Sequence, residues 1–325
     1  MKRQTYILLL KILGSLAFVF LLITQIEWER GIFVNLYQQL NLPLFVLSLS
    51  GVIIVLGLKS VRWNLLLKAE NCDYSYLSAF SAYMVSLMIG LVTPGRIGEI
   101  AKLYYVRQEK EIDFYHSFKT IVTDRIFDFA FLIWFGLAGM LYFYKILGDF
   151  SGITYILITA ITMFLAWYSG YLVLKSIKSQ RTIIAFIRES WNEMFMNKMF
   201  IPWILTFAAY LASYASVMLI FWSINIKLNI IDVAFIVSLM NLVTLIPITL
   251  AGFGTREVSL IYLLSFYAIG PEQSVVFSFL QFIAFFLWGG LIGLAFWIRK
   301  PLKLKLIIDD SKKMLGFIKR RKNQL

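Results

Sequence analysis

Six stretches of this sequence, residues 7–26, 42–58, 120–146, 153–174, 200–224 and 275–298, are apolar over lengths that suit a membrane-spanning helix, since crossing a hydrocarbon core of roughly 30 Å takes about 20 residues. A backbone inside lipid must satisfy its own hydrogen bonds, which leaves such runs little choice but to be helical. Composition agrees. The chain is 60% hydrophobic and 15% charged, whereas soluble domains carry about a quarter charged residues, so the apolar excess must face lipid. The expected fold class is all-α, a polytopic membrane protein. Its first run follows Lys2 and Arg3. It lacks the short apolar core and small-residue cleavage site of a signal peptide, so it is read as a retained helix.

The loops orient these runs. Lys59, Arg62 and Lys68 follow the second run, Lys175, Lys178, Arg181, Arg188 and Lys198 separate the fourth from the fifth, and 299–325 is a basic tail. Glu27, Glu29 and Asp149 mark loops of the other kind. Basic loops stay in the cytoplasm, so a multi-pass protein of the cytoplasmic (inner) membrane with both termini inside is expected. Two further apolar segments, 74–114 and 230–270, then have to enter and leave by the same face, the first from inside and the second from outside. Each is broken midway, by Pro94, Gly95 and Gly98 in one and Pro247, Gly252 and Gly254 in the other. Irregular backbone at membrane depth survives only where protein or a cavity surrounds it, so two re-entrant hairpins of opposite orientation are expected.

The hairpins resemble each other. Leu91-Val92-Thr93 precedes the first break and Leu242-Val243-Thr244 the second, and both continue through Pro, small residues and an Arg/Glu pair. The order of crossings before and after each break also repeats from the opposite side. This predicts one transmembrane domain over 1–298, built as an inverted repeat with halves of about 1–150 and 151–298. In such architectures, Gly/Pro-interrupted segments at corresponding positions point to the binding site.

Charges within apolar segments are costly and default to a functional hypothesis. Arg96, Glu99, Arg256 and Glu257 sit at the breaks. Arginine presents a planar fork suited to phosphate, and helix starts freed by glycine suit anions too. One reading has Arg96 and Arg256 holding a lipid phosphate, with Glu99 and Glu257 orienting them or meeting the head group. The other has two Arg–Glu bridges holding the hairpins together. Asp124, Arg125 and Asp128 open the third run, with the aspartates four apart on one helix face; they pair with the first hairpin through Arg96 or Lys102, or they gate. Arg62, in Arg62-Trp63-Asn64, reads as an interfacial anchor within reach of a head group. The basic tail suits anionic inner-leaflet lipids. One cysteine, Cys72, and one histidine, His116, leave no material for a disulfide or a thiolate metal site, and neither a metal nor a cofactor is expected. Neither glycine-rich nucleotide signature is present, and basic residues lying between apolar runs do not suggest nucleic acid.

Three blocks, Pro94-Gly95-Arg96-Ile97-Gly98-Glu99, Asp124-Arg125-Ile126-Phe127-Asp128 and the stretch from Pro247 to Glu257, resemble the lysylphosphatidylglycerol synthase transmembrane-region family of flippase-like proteins. The resemblance covers nearly the whole chain. It implies a lipid flippase module, acting on an anionic or aminoacylated phospholipid or a polyprenyl-linked sugar lipid and without catalytic activity of its own. It also implies a possible lipid-modifying transferase as partner, since some family members carry an aminoacyltransferase domain for which this chain has no soluble stretch. The alternative is a membrane-embedded enzyme, or enzyme subunit, of lipid modification. Two departures from the family pattern are Ala251, where Gly is common, and Gly90, where Asn is.

Overall fold

The computed structural model describes residues 39–92, 98–110, 112–147, 189–191, 194, 197–245 and 254–301. The expected crossings at 7–26 and 153–174, the residues Pro94, Gly95, Arg96, Pro247 and Gly252, and the basic tail from residue 302 on lie outside these. Among the described residues there are helices and no strands.

Among the described residues, eight main helices are α1 (Leu42–Ala69), α2 (Tyr76–Val92), α3 (Glu99–Glu109), α4 (Phe114–Leu147), α5 (Phe200–Ser223), α6 (Ile230–Leu245), α7 (Thr255–Ser265) and α8 (Pro271–Arg299). Four of them, α1, α4, α5 and α8, are long and apolar enough to cross a membrane. They match four of the expected crossings, with α1 extended through the basic stretch to Ala69. Their ends have local causes. Asn41 caps α1, its Oδ1 accepting from the Leu44 N–H at 3.2 Å, and Pro271 occupies the first turn of α8, where a missing N–H costs nothing.

The helices form two sets of four, long, short, short, long, starting at residues 42, 76, 99 and 114 and again at 200, 230, 255 and 271. Small details repeat with them. Helix α1 ends in Asn71 at φ 58° and α5 in Asn225 at φ 60°. Behind each asparagine the chain closes with the same hydrogen bond, Cys72 N–H to the Leu67 carbonyl and Ile226 N–H to the Phe221 carbonyl, as in a Schellman stop.

The two sets are inverted relative to each other. Helix α1 packs along its counterpart α5, and the contacts run antiparallel. The Asn41 N–H reaches the Ser223 carbonyl, the Ser216 hydroxyl reaches the Ser48 carbonyl, and Arg62 reaches Thr206. The other large contacts cross between the sets, α2 on α8 and α6 on α4. At both, a close approach is made by glycine at an equivalent position. A Cβ at Gly136 would collide with Leu242, and one at Gly293 with the Met84 carbonyl and Met88. This reciprocal pattern is that of a two-fold axis across the helices.

Each short pair is a hairpin. After α2 the chain returns so that Gly98 lies against Ser86 and Gly90, where a Cβ would collide with backbone, and Glu109 accepts from the Tyr74 hydroxyl at 2.9 Å. The first hairpin therefore begins and ends beside the C-terminus of α1, called here the near end. The second begins and ends beside the C-terminus of α5, where Tyr142 and Tyr267 both donate to Asp232 at 2.7 Å. Because α1 and α5 are antiparallel, that is the far end. With 17 residues in α2 and 16 in α6, at about 1.5 Å per residue, each tip reaches roughly 25 Å into the bundle.

Candidate functional site

Midway along the first hairpin, polar side chains from five helices converge inside an apolar bundle. Asp124, ten residues into α4 and hence roughly 15 Å from the near end, is fully buried. Its Oδ1 lies 2.8 Å from Arg62 Nη2 of α1, and its Oδ2 lies 3.2 Å from Lys102 Nζ of α3 and 2.9 Å from Arg125 Nη2. The Tyr83 hydroxyl of α2 donates to the same Oδ2 at 2.9 Å. One turn further on, Asp128 takes Arg62 Nη1 at 3.0 Å, Lys59 Nζ at 3.1 Å and Arg125 Nη1 at 3.3 Å. Arg62 Nη1 also donates to Thr206 Oγ1 of α5 at 2.8 Å. Lys102 stands 4.1 Å from the centroid of the Tyr83 ring, where the ring face attracts a cation.

Four cations, Lys59, Arg62, Lys102 and Arg125, thus face two carboxylates. Among the described residues the cluster has formal charge +2. Arg62 and Lys102 are sealed at 0% side-chain exposure, whereas Arg125 is 29% and Lys59 17% exposed. Cations gathered in this way, two of them partly open, suit an anion, because a low-dielectric surrounding amplifies each pair interaction.

Arg62 differs from its reading as an interfacial anchor. It is buried because it lies on the α1 face covered by α4 and α5, where two aspartates and a threonine satisfy its fork. Lys102 and Asp124 join the first hairpin to α4. Glu99 opens α3, but its side chain lies outside the described set, as does Arg96. Sequence reasoning missed Lys59, taken only as an orienting charge, together with Tyr83 and Thr206. A signal for Lys59 was available. Lys59 and Arg62 are three apart and Asp124 and Asp128 four apart, spacings that put each pair on one helix face.

The second break is built differently. Gly254 has φ 89°, a region that L side chains avoid, and it caps α7. The Glu257 side chain reaches back to accept from the Gly254 N–H at 2.6 Å, the return half of a capping box. Arg256 Nη2 lies 2.7 Å from Glu257 Oε1, and the Ser278 hydroxyl of α8 accepts from Arg256 Nε at 2.7 Å while donating to Glu257 at 2.6 Å. This group is buried and formally neutral. Gly98 and Gly254 precede α3 and α7 at equivalent positions, so the two Arg/Glu pairs are not in register. Arg96 precedes its glycine in sequence, and Arg256 follows its own.

The signature blocks and this inverted arrangement lie within residues 8–300, all of which match the family described as Lysylphosphatidylglycerol synthase TM region. The chain belongs to that family. A UPF0104 membrane protein of Methanocaldococcus jannaschii is 23% identical over 311 residues, covering 87% of this chain and 92% of its own length. A UPF0104 membrane protein of Pyrococcus horikoshii is 25% identical over 120 residues, or 35% of this chain and 36% of its own. No solved structure matches the chain. Membership fits the polytopic helical architecture of a membrane protein, and Asp124, Arg125 and Asp128 of the first cluster and Arg256 and Glu257 of the second fall within two of the three blocks that carry the resemblance.

Proposed function

We propose that this protein translocates a phosphate-bearing lipid across the cytoplasmic membrane without covalent change, the first hairpin receiving the anionic head group. The observation that carries this is the convergence of four cations, two of them partly exposed, on two carboxylates beside that hairpin. Buried charges in membrane segments line substrate paths more often than they stabilise. A head-group phosphate meets the exposed members, Arg125 and Lys59, while Arg62 and Lys102 supply field from behind. The hairpins enter from opposite ends, as alternating access between leaflets requires. Arg256 contributes less than the sequence suggested, because Glu257 and Ser278 already occupy it.

Orientation follows from charge. Lys68, Arg107, Lys110, Lys198, Arg299 and Lys300 lie at the near end, beside Glu70, Asp73, Glu109 and Asp113, against Lys145 and Lys227 at the far end; basic residues set orientation, so in this reading the near end is cytoplasmic. A lipid-modifying transferase supplying the substrate and inner-leaflet anionic lipids on the basic tail complete the proposal. The test is translocation in proteoliposomes of labelled phosphatidylglycerol, lysyl-phosphatidylglycerol and a polyprenyl-phosphate sugar, with phosphatidylcholine as the uncharged-balance control. At least one phosphate lipid should move faster than in empty vesicles, and Arg125→Gln should slow it by about tenfold, the equivalent of one charge-assisted hydrogen bond. Rates equal to empty vesicles for every lipid would overturn the reading.

A further inference from the structure

Helix α8 departs from its counterpart α4 at one place. Residues Ile283–Leu287 form a single π turn in mid-helix, whereas α4 is unbroken. Such turns cost regular hydrogen bonding and occur often at functional sites. Two buried polar atoms flank this one, and neither has a hydrogen-bond partner among the described residues: Gln281 Oε1 before it and Trp288 Nε1 after it. Gln281 is 7% exposed. Leaving a buried donor or acceptor unpaired costs about 1–3 kcal/mol, so two on one helix need an explanation.

Their surroundings point to the centre of the bundle. The turn lies where two cores meet. Ile283 and Ala284 pack in the core built around α5, α6 and α7, Trp288 packs in the core of the first hairpin, and Phe285 packs on both. Gln281 is also one turn from Ser278, which holds the Arg256–Glu257 pair. By position it is the counterpart of Asp124, since each lies twelve residues before the glycine that receives the opposite hairpin, Gly293 and Gly136. At equivalent places in the inverted repeat, one half thus has a charged cluster and the other a neutral amide.

We infer that the bulged middle of α8 binds the uncharged, hydroxyl-bearing part of the lipid head group, such as a glycerol or sugar. Gln281 Oε1 accepts from a hydroxyl and Trp288 Nε1 donates to one. This rests on the translocation reading and deepens it, dividing the head group between a phosphate station at the first hairpin and a hydroxyl station at α8. A hydroxyl is the group that suits an acceptor and a donor together. A second charge would gain nothing from the neutral Arg256–Glu257–Ser278 group.

The test compares phosphatidylglycerol with phosphatidylpropanol in proteoliposomes. The two share the charge and approximate size of the head group but differ in its hydroxyls. A site built to hydrogen-bond hydroxyls rejects an analogue that lacks them. Wild-type protein should move phosphatidylglycerol at least about tenfold faster, one to two hydrogen bonds' worth. Gln281→Met and Trp288→Phe, which keep volume and remove the polar atom, should each bring phosphatidylglycerol down towards the phosphatidylpropanol rate. The phosphatidylpropanol rate itself should stay unchanged, which also reports that the variants fold. Equal wild-type rates for the two lipids, or an undiminished preference in both variants, would overturn the inference while leaving translocation standing. Failure of wild-type protein to move either lipid would also overturn the inference, whereas the translocation reading falls only if no lipid of the wider panel moves.

Discussion

Asp124 receives Arg62, Lys102, Arg125 and Tyr83 on two oxygens, so its removal should be felt more than that of any single donor. Breaking a buried pair from one side costs about 3–5 kcal/mol, because the partner is left charged and unpaired. Asp124→Asn should therefore lower the unfolding temperature of the detergent-solubilised protein sharply. Adding Arg62→Met to Asp124→Asn should recover part of the loss, since it removes one of the cations then left to share Asp128. Failure of the double variant to recover anything would mean that the four-way network acts through Lys102 and Arg125 instead. At the near end Glu70 behaves differently. Burial pushes its carboxyl up, but Lys119 at 2.9 Å and His116 at 2.5 Å outweigh that and hold it below the ordinary Glu value of 4.5. A depressed folded value means that the stabilisation is complete above the ordinary value and is lost as pH falls through the folded one. Amide exchange in the 70–76 connection should accelerate as pH drops below about 4.5 relative to its intrinsic rate, and Glu70→Gln should show the faster, pH-independent protection at all pH values. What the sequence revealed at this scale followed periodicity along single helices, such as the shared face of Asp124 and Asp128. It could not reveal Thr206 or Tyr83, because those contacts depend on which helices meet.

The hairpins were legible as elements because Pro and Gly interrupt runs whose parity forbids a full crossing. Their close packing was not legible, since it depends on steric approach between backbones. Gly98 is the tightest point of the first hairpin, and a Cβ there meets the Ser86 carbonyl and Gly90 backbone, which cannot move aside as a flexible side chain would. Gly98→Val should open the hairpin at a cost of about 1–3 kcal/mol for overpacking and should abolish translocation. Gly57→Ala on α1 is the matched control, because among the described residues its Cβ would find only the Tyr76 hydroxyl, at an ordinary 3.5 Å. It should keep activity and stabilise α1 slightly through better helix propensity, by at most about 1 kcal/mol. Thermal unfolding and proteoliposome rates measured together separate the two outcomes. If Gly98→Val retained wild-type translocation, the closed tip would be irrelevant to transport.

At the scale of the whole molecule, the inverted repeat makes a claim that neither half makes alone. Each hairpin leans on the last helix of the other half, α2 on α8 and α6 on α4, while α1 and α5 form the shared spine. If exposure alternates between leaflets, the spine stays fixed and the two crossed contacts shift in turn. Disulfides test this, because bridged residues need Cβ atoms about 3.5–4.5 Å apart. At the α4–α6 contact a Cβ on Gly139 lies 3.2 Å from Phe235 Cβ, and at the α2–α8 contact the rings of Phe80 and Phe296 are 5.6 Å apart, which calls for a longer bridge. In a background with Cys72 replaced by Ala, Gly139→Cys with Phe235→Cys should cross-link under mild oxidation, and Phe80→Cys with Phe296→Cys should cross-link with a short, reducible bis-methanethiosulfonate reagent. Each cross-link should stop translocation, and reduction should restore it. Arrest by only one of the two would indicate that a single hairpin moves, and the asymmetry already visible between the charged cluster and the neutral one suggests which: the first, beside which lies the charge that must change partners when the head group leaves. Full rates with both bridges closed would show instead that the lipid passes along a static surface, the crossed contacts then serving only to hold the halves together.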